Sequence, residues 1–264
     1  MAMSKEELEK MVSNESFPLS SKYDTQWAVE NQMGPNALWL TEWLCRDMEL
    51  KPGMRVLDMG CGKGMSSVFL AKECGVQVWA NDLWIEATEN WGRIKEAGLE
   101  GQVFPIHAEA HALPYAEGFF DAIVSLDSYH YYGTDDLYLG HILKFLRPGG
   151  QMGIVVPGLM KEFGGEVPGH LTRKQKSGSV FWVEECWTIH TLDFWRDSWG
   201  RSSLVEVELG DTLADGWRHW LQWEKAVEAA GTSPFPSDAE VLEADGGEYL
   251  GFVRMIGRRS ELAD

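Results

Sequence analysis

The residues able to do chemistry cluster in four short stretches. The first is Arg55-Val-Leu-Asp-Met-Gly-Cys-Gly-Lys-Gly64, in which glycines recur at every second position after an acid. Gly60, Gly62 and Gly64 form a turn nearly free of side-chain bulk, so a ligand can lie against its backbone. Asp58, two residues before the first glycine, is placed to meet a cationic amine. The second stretch is Ala80-Asn-Asp82, whose carboxylate can grip two neighbouring hydroxyls. The third, Ala108-Glu-Ala-His-Ala-Leu-Pro-Tyr115, offers Glu109. The fourth, Phe119-Phe-Asp-Ala-Ile-Val-Ser-Leu-Asp-Ser-Tyr-His130, ends on Asp127 and on an imidazole that titrates near neutral pH. No Cys-x-x-Cys pair is present, and the one His-x-x-x-His spacing, His107 to His111, has no further clustered Cys or His beside it, so no metal site is expected.

These stretches need a scaffold, and the hydrophobic pattern supplies one. Val56 and Leu57 end a buried strand, and Met65 onward resumes at helical spacing. Further strands are expected over 76–80, 103–107, 121–125 and 152–156, with Pro105 arguing for irregular pairing in its strand. Helices are expected over 37–45, 84–97 and 137–146, and a short helix over 4–14 is capped by Ser4 with Glu7. Asn36 is expected to cap the helix that follows it. Strand–helix alternation of this kind implies right-handed crossovers and a parallel sheet with helices on both faces. Residues 16–36 read as an irregular arm and 158–180 as a loop or lid. Helices are expected over 184–200 and 214–230, and strands over 204–208 and 249–256.

The pattern D-x-G-x-G-x-G resembles motif I of the class I S-adenosylmethionine (SAM)-dependent methyltransferases. Ala80-Asn-Asp82 stands where that family keeps its ribose carboxylate. The third stretch is similar to the family's G-D-A-x-x-L-P-F, with Ala108 for glycine and Glu109 for aspartate. The fourth is similar to F-D-x-V-x-S-x-D-x-x-H, and Leu146-Arg-Pro-Gly-Gly150 to the L-x-P-G-G turn. The resemblance covers residues 53–156 in order. It implies an α/β fold: a Rossmann-like, seven-stranded, mostly parallel sheet with an antiparallel last strand, helices on both faces, an N-terminal arm and a lid insertion. It implies SAM as cofactor, with Asp58 at the amino-acid end, Gly60, Gly62 and Gly64 beneath the methionine and ribose, and Asp82 on the ribose. Leu83 and Trp84 would flank the adenine, Glu109 and the Ala110 N–H would read its edge, and Leu126 would line the cofactor. Asp127 and His130 would face the acceptor. Phosphoethanolamine methyltransferases have a comparable tyrosine–histidine pair, which points to Tyr23 in the arm beside His130.

The expected activity is methyl transfer to a small-molecule amine, hydroxyl or thiol by in-line displacement, which asks for alignment and exclusion of water. A base is needed only if the acceptor must lose a proton. His130 reads either as that base or orienting group or as packing at the sheet edge. Tyr131 takes its place if the register slips by one. Asp82 reads either as the ribose ligand or as a helix N-cap. Thirteen tryptophans crowd the chain. Those after residue 180 read either as core or as an aromatic-walled acceptor pocket that His190 and Arg196 could reach. Residues 1–50 are expected to cover the cofactor, 51–157 to form its core, 158–245 to add lid and substrate-binding insertions, and 246–264 to return the last strand.

A net charge of −18 argues against a nucleic-acid partner. No apolar run long enough to span a membrane occurs, and the polar N-terminus has no signal-like segment. Four scattered cysteines fit reduced thiols and a cytoplasmic location. Oligomeric state is left open. The competing reading is a non-catalytic SAM-binding or partner-binding module. The glycine spacing argues against a nicotinamide-dinucleotide dehydrogenase.

Overall fold

The computed structural model of the protein describes residues 4–261. Eight strands form one sheet: β1 (Arg55–Met59), β2 (Gln77–Asp82), β3 (Val103–His107), β4 (Phe120–Leu126), β5 (Leu146–Leu159), β6 (His190–Thr191), β7 (Val205–Thr212) and β8 (Leu250–Arg259). The strand order is β3-β2-β1-β4-β5-β8-β7, with the two-residue β6 beside the end of β5. Pairing is parallel from β3 through β5, and β8 runs antiparallel to both β5 and β7. The expected sheet is therefore present, with one additional short strand. The chain leaves β1 for one side of the sheet and returns at β4 on the other. A crevice opens at the carboxyl ends of these two strands, where such sheets bind ligands.

Successive strand residues face opposite layers, as a period of two demands. Val56, Val78, Ala80, Val124 and Val155 pack on one side, beneath α3 (Ala37–Cys45), α4 (Met65–Cys74) and α9 (Gly216–Ala230). Leu57, Ile123, Ile154 and Val156 pack on the other, against α6 (Tyr138–Leu143) and α8 (Leu192–Gly200). Trp195 and Trp199 are fully buried in the second layer, Trp220 and Trp223 buried in the first. The late tryptophans are thus mostly core. Trp187, with 62% of its surface exposed, and the half-buried Trp217 are the exceptions.

Four local expectations change. The arm over 16–36 is not irregular: it holds a 3-10 turn, Ser20–Lys22, and α2 (Thr25–Asn31), capped by the Asp24 carboxylate on Trp27 N–H. Pro105 pairs regularly with Ala80, which is tolerated because β3 is an edge strand. The span 184–200 divides into a 3-10 turn, β6 and α8, and α5 (Ala87–Glu96) starts later than residue 84. Two caps stand as expected. Ser4 and Glu7 form a capping box on α1 (Lys5–Val12), and Asn36 accepts from Leu38 and Trp39 N–H. The C-terminal end of α3 is anchored to the sheet by Arg254 of β8, which donates to the Trp43 carbonyl at 2.6 Å. A cation at a helix C-terminus complements its dipole. The N-terminal edge of α3 then reaches over the crevice.

Candidate active site

The glycine loop is held from below. Gly60 N–H and Cys61 N–H both donate to the Asn81 carbonyl, at 2.8 and 3.0 Å. Gly62 N–H donates to Asp82 Oδ2 at 2.8 Å, and Gly64 N–H to the Cys61 carbonyl at 2.9 Å. Gly60 and Gly62 have φ of 69° and 54°, the left-handed region that favours glycine. A Cβ on Gly60 would overlap Ser128 Oγ. With the amides of all three glycines spent on the protein, the glycine turn itself is a poor cradle for a pyrophosphate, which needs free N–H groups. It offers a bare Cα surface.

Above this surface lies an open cleft of about 1030 Å³, the solvent at its mouth included. Asn31, Met33, Pro35 and Ala37, from the arm and α3, roof it. Gly60, Gly62 and Lys63 form the floor, and the walls come from the ends of β2, β3 and β4. Of the residues expected in the site, Gly60, Gly62, Asp82, Leu83, Glu109, Ala110, Leu126, Asp127 and Tyr131 all line it, as does Trp84. Among the described residues the charged lining groups are three carboxylates and a single cation, Lys63, whose ammonium donates to the Glu30 carbonyl.

Six expected residues stand elsewhere. Asp58 is fully buried under the loop, where Oδ2 accepts from Ser66 and Ser67 Oγ, both at 2.6 Å. Its Oδ1 has no partner, and burial pushes its pKa up to about 6 against the pull of the two serines. Gly64, with φ of 82°, opens α4 and does not line the cleft. Tyr23 lies on the outer side of α4, between Phe69 and Trp27, with its hydroxyl 3.4 Å from Glu73. The arm passes over that helix before turning to the cleft, so Met33 reaches the site and Tyr23 does not. His130 is 3% exposed, and its Nδ1 has no partner. Burial, reinforced by His190, lowers its pKa to about 3. The ring of Tyr131 covers it at 4.0 Å and faces the cleft in its place. His190 stacks on Phe194 at 3.6 Å. Arg196 donates to the Gly210 carbonyl on β7 at 2.6 Å. Among the described residues none beyond Tyr132 lines the cleft, so the span 158–180 does not roof it.

Two residues line the cleft with partners other than those expected. Asp82 Oδ1 accepts from Trp84 and Ile85 N–H at 2.8 and 2.9 Å, turning the chain after β2. It is not the cap of α5, whose N-cap position is Glu86. Three of roughly four acceptor sites are used, leaving one for a ligand hydroxyl. Glu109 is paired with the His111 ring at 2.8 Å, which holds its carboxyl below the usual range. Met33, Asn81, Ser128 and Tyr132 also belong to the lining. Nothing in their spacing marks them, although Asn81 precedes Asp82 and its Oδ1 is buried without a partner. Among the described residues no group of three His, Cys, Asp or Glu side chains gathers as a metal site.

Asp127 combines two departures. It is a non-glycine residue with φ of 51° at the end of β4, a conformation that costs energy and concentrates at functional sites. Its pKa is pushed up to about 8, first by burial and then by Asp238 and Glu224. Asp238 is itself raised to about 7. A carboxyl whose folded pKa is raised holds its proton longer than in the unfolded chain. Its contribution is therefore full below about pH 4 and is lost as pH rises through the folded value. The thermal midpoint of the ligand-free protein is expected to fall between pH 6 and 8. Asp238→Asn should flatten that fall, as read by melting curves across the range; an unchanged slope would contradict the clustering of these acids.

The comparisons with known proteins follow this geometry. Residues 56–150 match the family model described as a methyltransferase domain. The methyltransferase GfsG of Streptomyces halstedii is 34% identical over 116 residues, 44% of this chain and 42% of that protein. A fatty-acid O-methyltransferase of Mycolicibacterium smegmatis is 34% identical over 101 residues, 37% of this chain and 35% of that protein. The aligned part thus spans about two fifths of the length of the curated relatives. Among solved structures, the 4+2 cyclase SpnF superposes with a TM-score of 0.64 at 18% identity, covering 98% of this chain and 97% of its own. Phosphoethanolamine N-methyltransferase 2 of Haemonchus contortus gives 0.67 at 16% identity, covering 96% of this chain and 60% of its own. Residues 56–150 are therefore similar in sequence to methyltransferase domains, and the chain shares its fold with class I SAM-dependent methyltransferases.

Proposed function

We propose that the protein binds SAM in this cleft and transfers its methyl group to a small-molecule acceptor. The observation that carries the reading is the donor set of the cleft: a glycine loop with its amides already satisfied, three carboxylates and one lysine. That set repels a phosphate and suits a cationic nucleoside. The unpartnered Asn81 Oδ1 in the lining fits the same group. Asp82 would hold the ribose, Leu83 and Trp84 would lie beside the adenine, and Glu109 and Ala110 would meet its edge. Leu126 would line the cofactor and Asp127 would stand toward the acceptor, with Tyr131 above it. SAM, when bound, supplies an electrophilic methyl carbon on a sulfonium. The chain's own part is to align the partners and exclude water, through Met33 above and Tyr131 at the side.

In this reading residues 1–50 cover the cofactor, 51–157 hold it, and 158–245 support the acceptor side from outside the cleft wall. Four free cysteines fit a cytoplasmic setting. No helix among the described residues is long and apolar enough to cross a membrane. The acceptor is proposed to be an amine, hydroxyl or thiol. Methyl-labelled SAM with a panel of sarcosine, phosphoethanolamine and a long-chain fatty acid tests the reading. Label is expected in one of these with release of S-adenosylhomocysteine (SAH). SAM bound but never turned over, with this or a wider panel, would favour the non-catalytic module.

A further inference from the structure

His130, the residue whose type suggests a base, is walled off from the cleft and is uncharged at neutral pH. The groups at the β4 end offer a different proton site. Asp127 lines the cleft directly after Leu126, and its backbone N–H is fixed to the Val155 carbonyl at 2.8 Å. The roof is shaped around its carboxylate. Gly34 lies opposite, where a Cβ would come within 2.6 Å of Asp127 Oδ2. Gly34 is held there from both ends: its N–H donates to Gln32 Oε1 at 2.9 Å, and its carbonyl accepts from Trp223 Nε1 at 3.0 Å. Three titratable groups face Asp127. They are Glu224 on α9, Asp238 just before α10 (Ala239–Asp245), and Tyr131 in the turn after β4. The cleft's other charged residues are Asp82, Glu109 and Lys63. Among the described residues neither Asp127, Glu224 nor Asp238 has a Lys or Arg partner.

We propose that Asp127 is the proton acceptor of this cleft, ionised while a cation occupies it and protonated once that cation is consumed. The proposal rests on the methyltransferase reading. Methylating an X–H acceptor forms the X–C bond, breaks the carbon–sulfur bond with its electrons left on sulfur, and frees one proton. One positive charge disappears from the cleft in the same step. Asp127 receives the proton, so its negative charge disappears with the positive one and the cleft's net charge stays constant. A carboxylate crowded by two other acids favours this exchange. An adjacent cation stabilises its charge, and without one the acid form is preferred. After reaction the neutral Asp127 no longer holds a charged partner, which favours release of SAH over SAM.

The test needs no known acceptor. SAM and SAH share the ribose, adenine and amino-acid tail, and differ in the sulfonium charge. Calorimetric binding of each, in phosphate, HEPES and Tris at pH 7.5, counts the protons released. In wild type, SAM should release roughly half a proton or more beyond SAH. In Asp127→Asn that excess should shrink by roughly the same amount, while in His130→Gln it should persist. An equal excess in wild type and Asp127→Asn would overturn the proposal. Should Asp127→Asn fail to bind SAH, Asp238→Asn decides: relieving the crowding must reduce the excess, and an unchanged excess overturns the proposal. Failure of wild type to bind either nucleotide would overturn the methyltransferase reading first, so the two failures are distinguishable.

Discussion

Asp82→Ala is expected to weaken SAM binding at least a hundredfold, which is roughly 2.7 kcal/mol. One carboxylate does two jobs at this position. Its Oδ2 ties Gly62 N–H, fixing the floor of the cleft, and its Oδ1 turns the chain through Trp84 and Ile85 N–H, setting the wall. Hydrogen bonds to a charged acceptor contribute about 1.5–3 kcal/mol each. Alanine removes all three together with the proposed ribose contact. Asp82→Asn separates the roles: it can still accept from Trp84 and Ile85, but sets an amide against the Gly62 N–H. Its melting temperature should stay nearer to wild type than that of the alanine variant, while its affinity for SAH should fall almost as far. Titration calorimetry checks both variants; an affinity within threefold of wild type for Asp82→Ala would remove this residue from the site.

Gly60→Ala is the second large effect. The residue sits at φ 69°, where an L side chain costs about 1–2 kcal/mol, and its Cβ would overlap Ser128 Oγ. Ser128 cannot easily give way, because its hydroxyl donates to Tyr132 at 3.1 Å, and Tyr132 is also 3.1 Å from Ser125 Oγ. The loop must therefore rise into the cleft, and SAM affinity should drop by roughly two orders of magnitude, about 2.7 kcal/mol. Gly64→Ala is the contrast. Its φ of 82° carries similar strain, but nothing lies within 4 Å of its Cβ. It should lose about 1–2 kcal/mol of stability with a much smaller change in affinity. The double variant Gly60→Ala with Ser128→Gly should recover part of the loss, the remainder being backbone strain. Equal losses for Gly60→Ala and Gly64→Ala would show that the close approach to Ser128 plays no part.

The parallel core was legible because its strands are buried on both faces and read as short apolar runs: Val56 and Leu57 in β1, Ile123 and Val124 in β4. The glycine loop and Asp82 were legible in position, since no other residue types fit those turns. Their bonds were not, because backbone partners such as the Asn81 carbonyl leave no mark in composition. The misplaced residues have simple physical causes. The 3-10 turn Tyr129–Tyr131 directs neighbouring side chains to different surroundings, so Tyr131 reaches the cleft and His130, one residue earlier, is buried. Tyr23 lies in an arm whose path depends on contacts with Phe69 and Trp223, both distant in sequence. The helix in that arm carried a readable signal, the Asp24 cap ahead of Trp27, although it is only seven residues long. The acids that crowd Asp127 come from Glu224 and Asp238, about a hundred residues later, and only the fold brings them together.

The most direct measurement is equilibrium binding of SAM, SAH and NADH to the wild-type protein by titration calorimetry. SAM and SAH are expected to bind at one site with micromolar affinity or better, Asp82→Ala is expected to abolish that binding, and NADH is expected not to bind, because the loop amides it would need are already satisfied. NADH binding in place of SAM, or no binding of either, would contradict the assignment of this cleft.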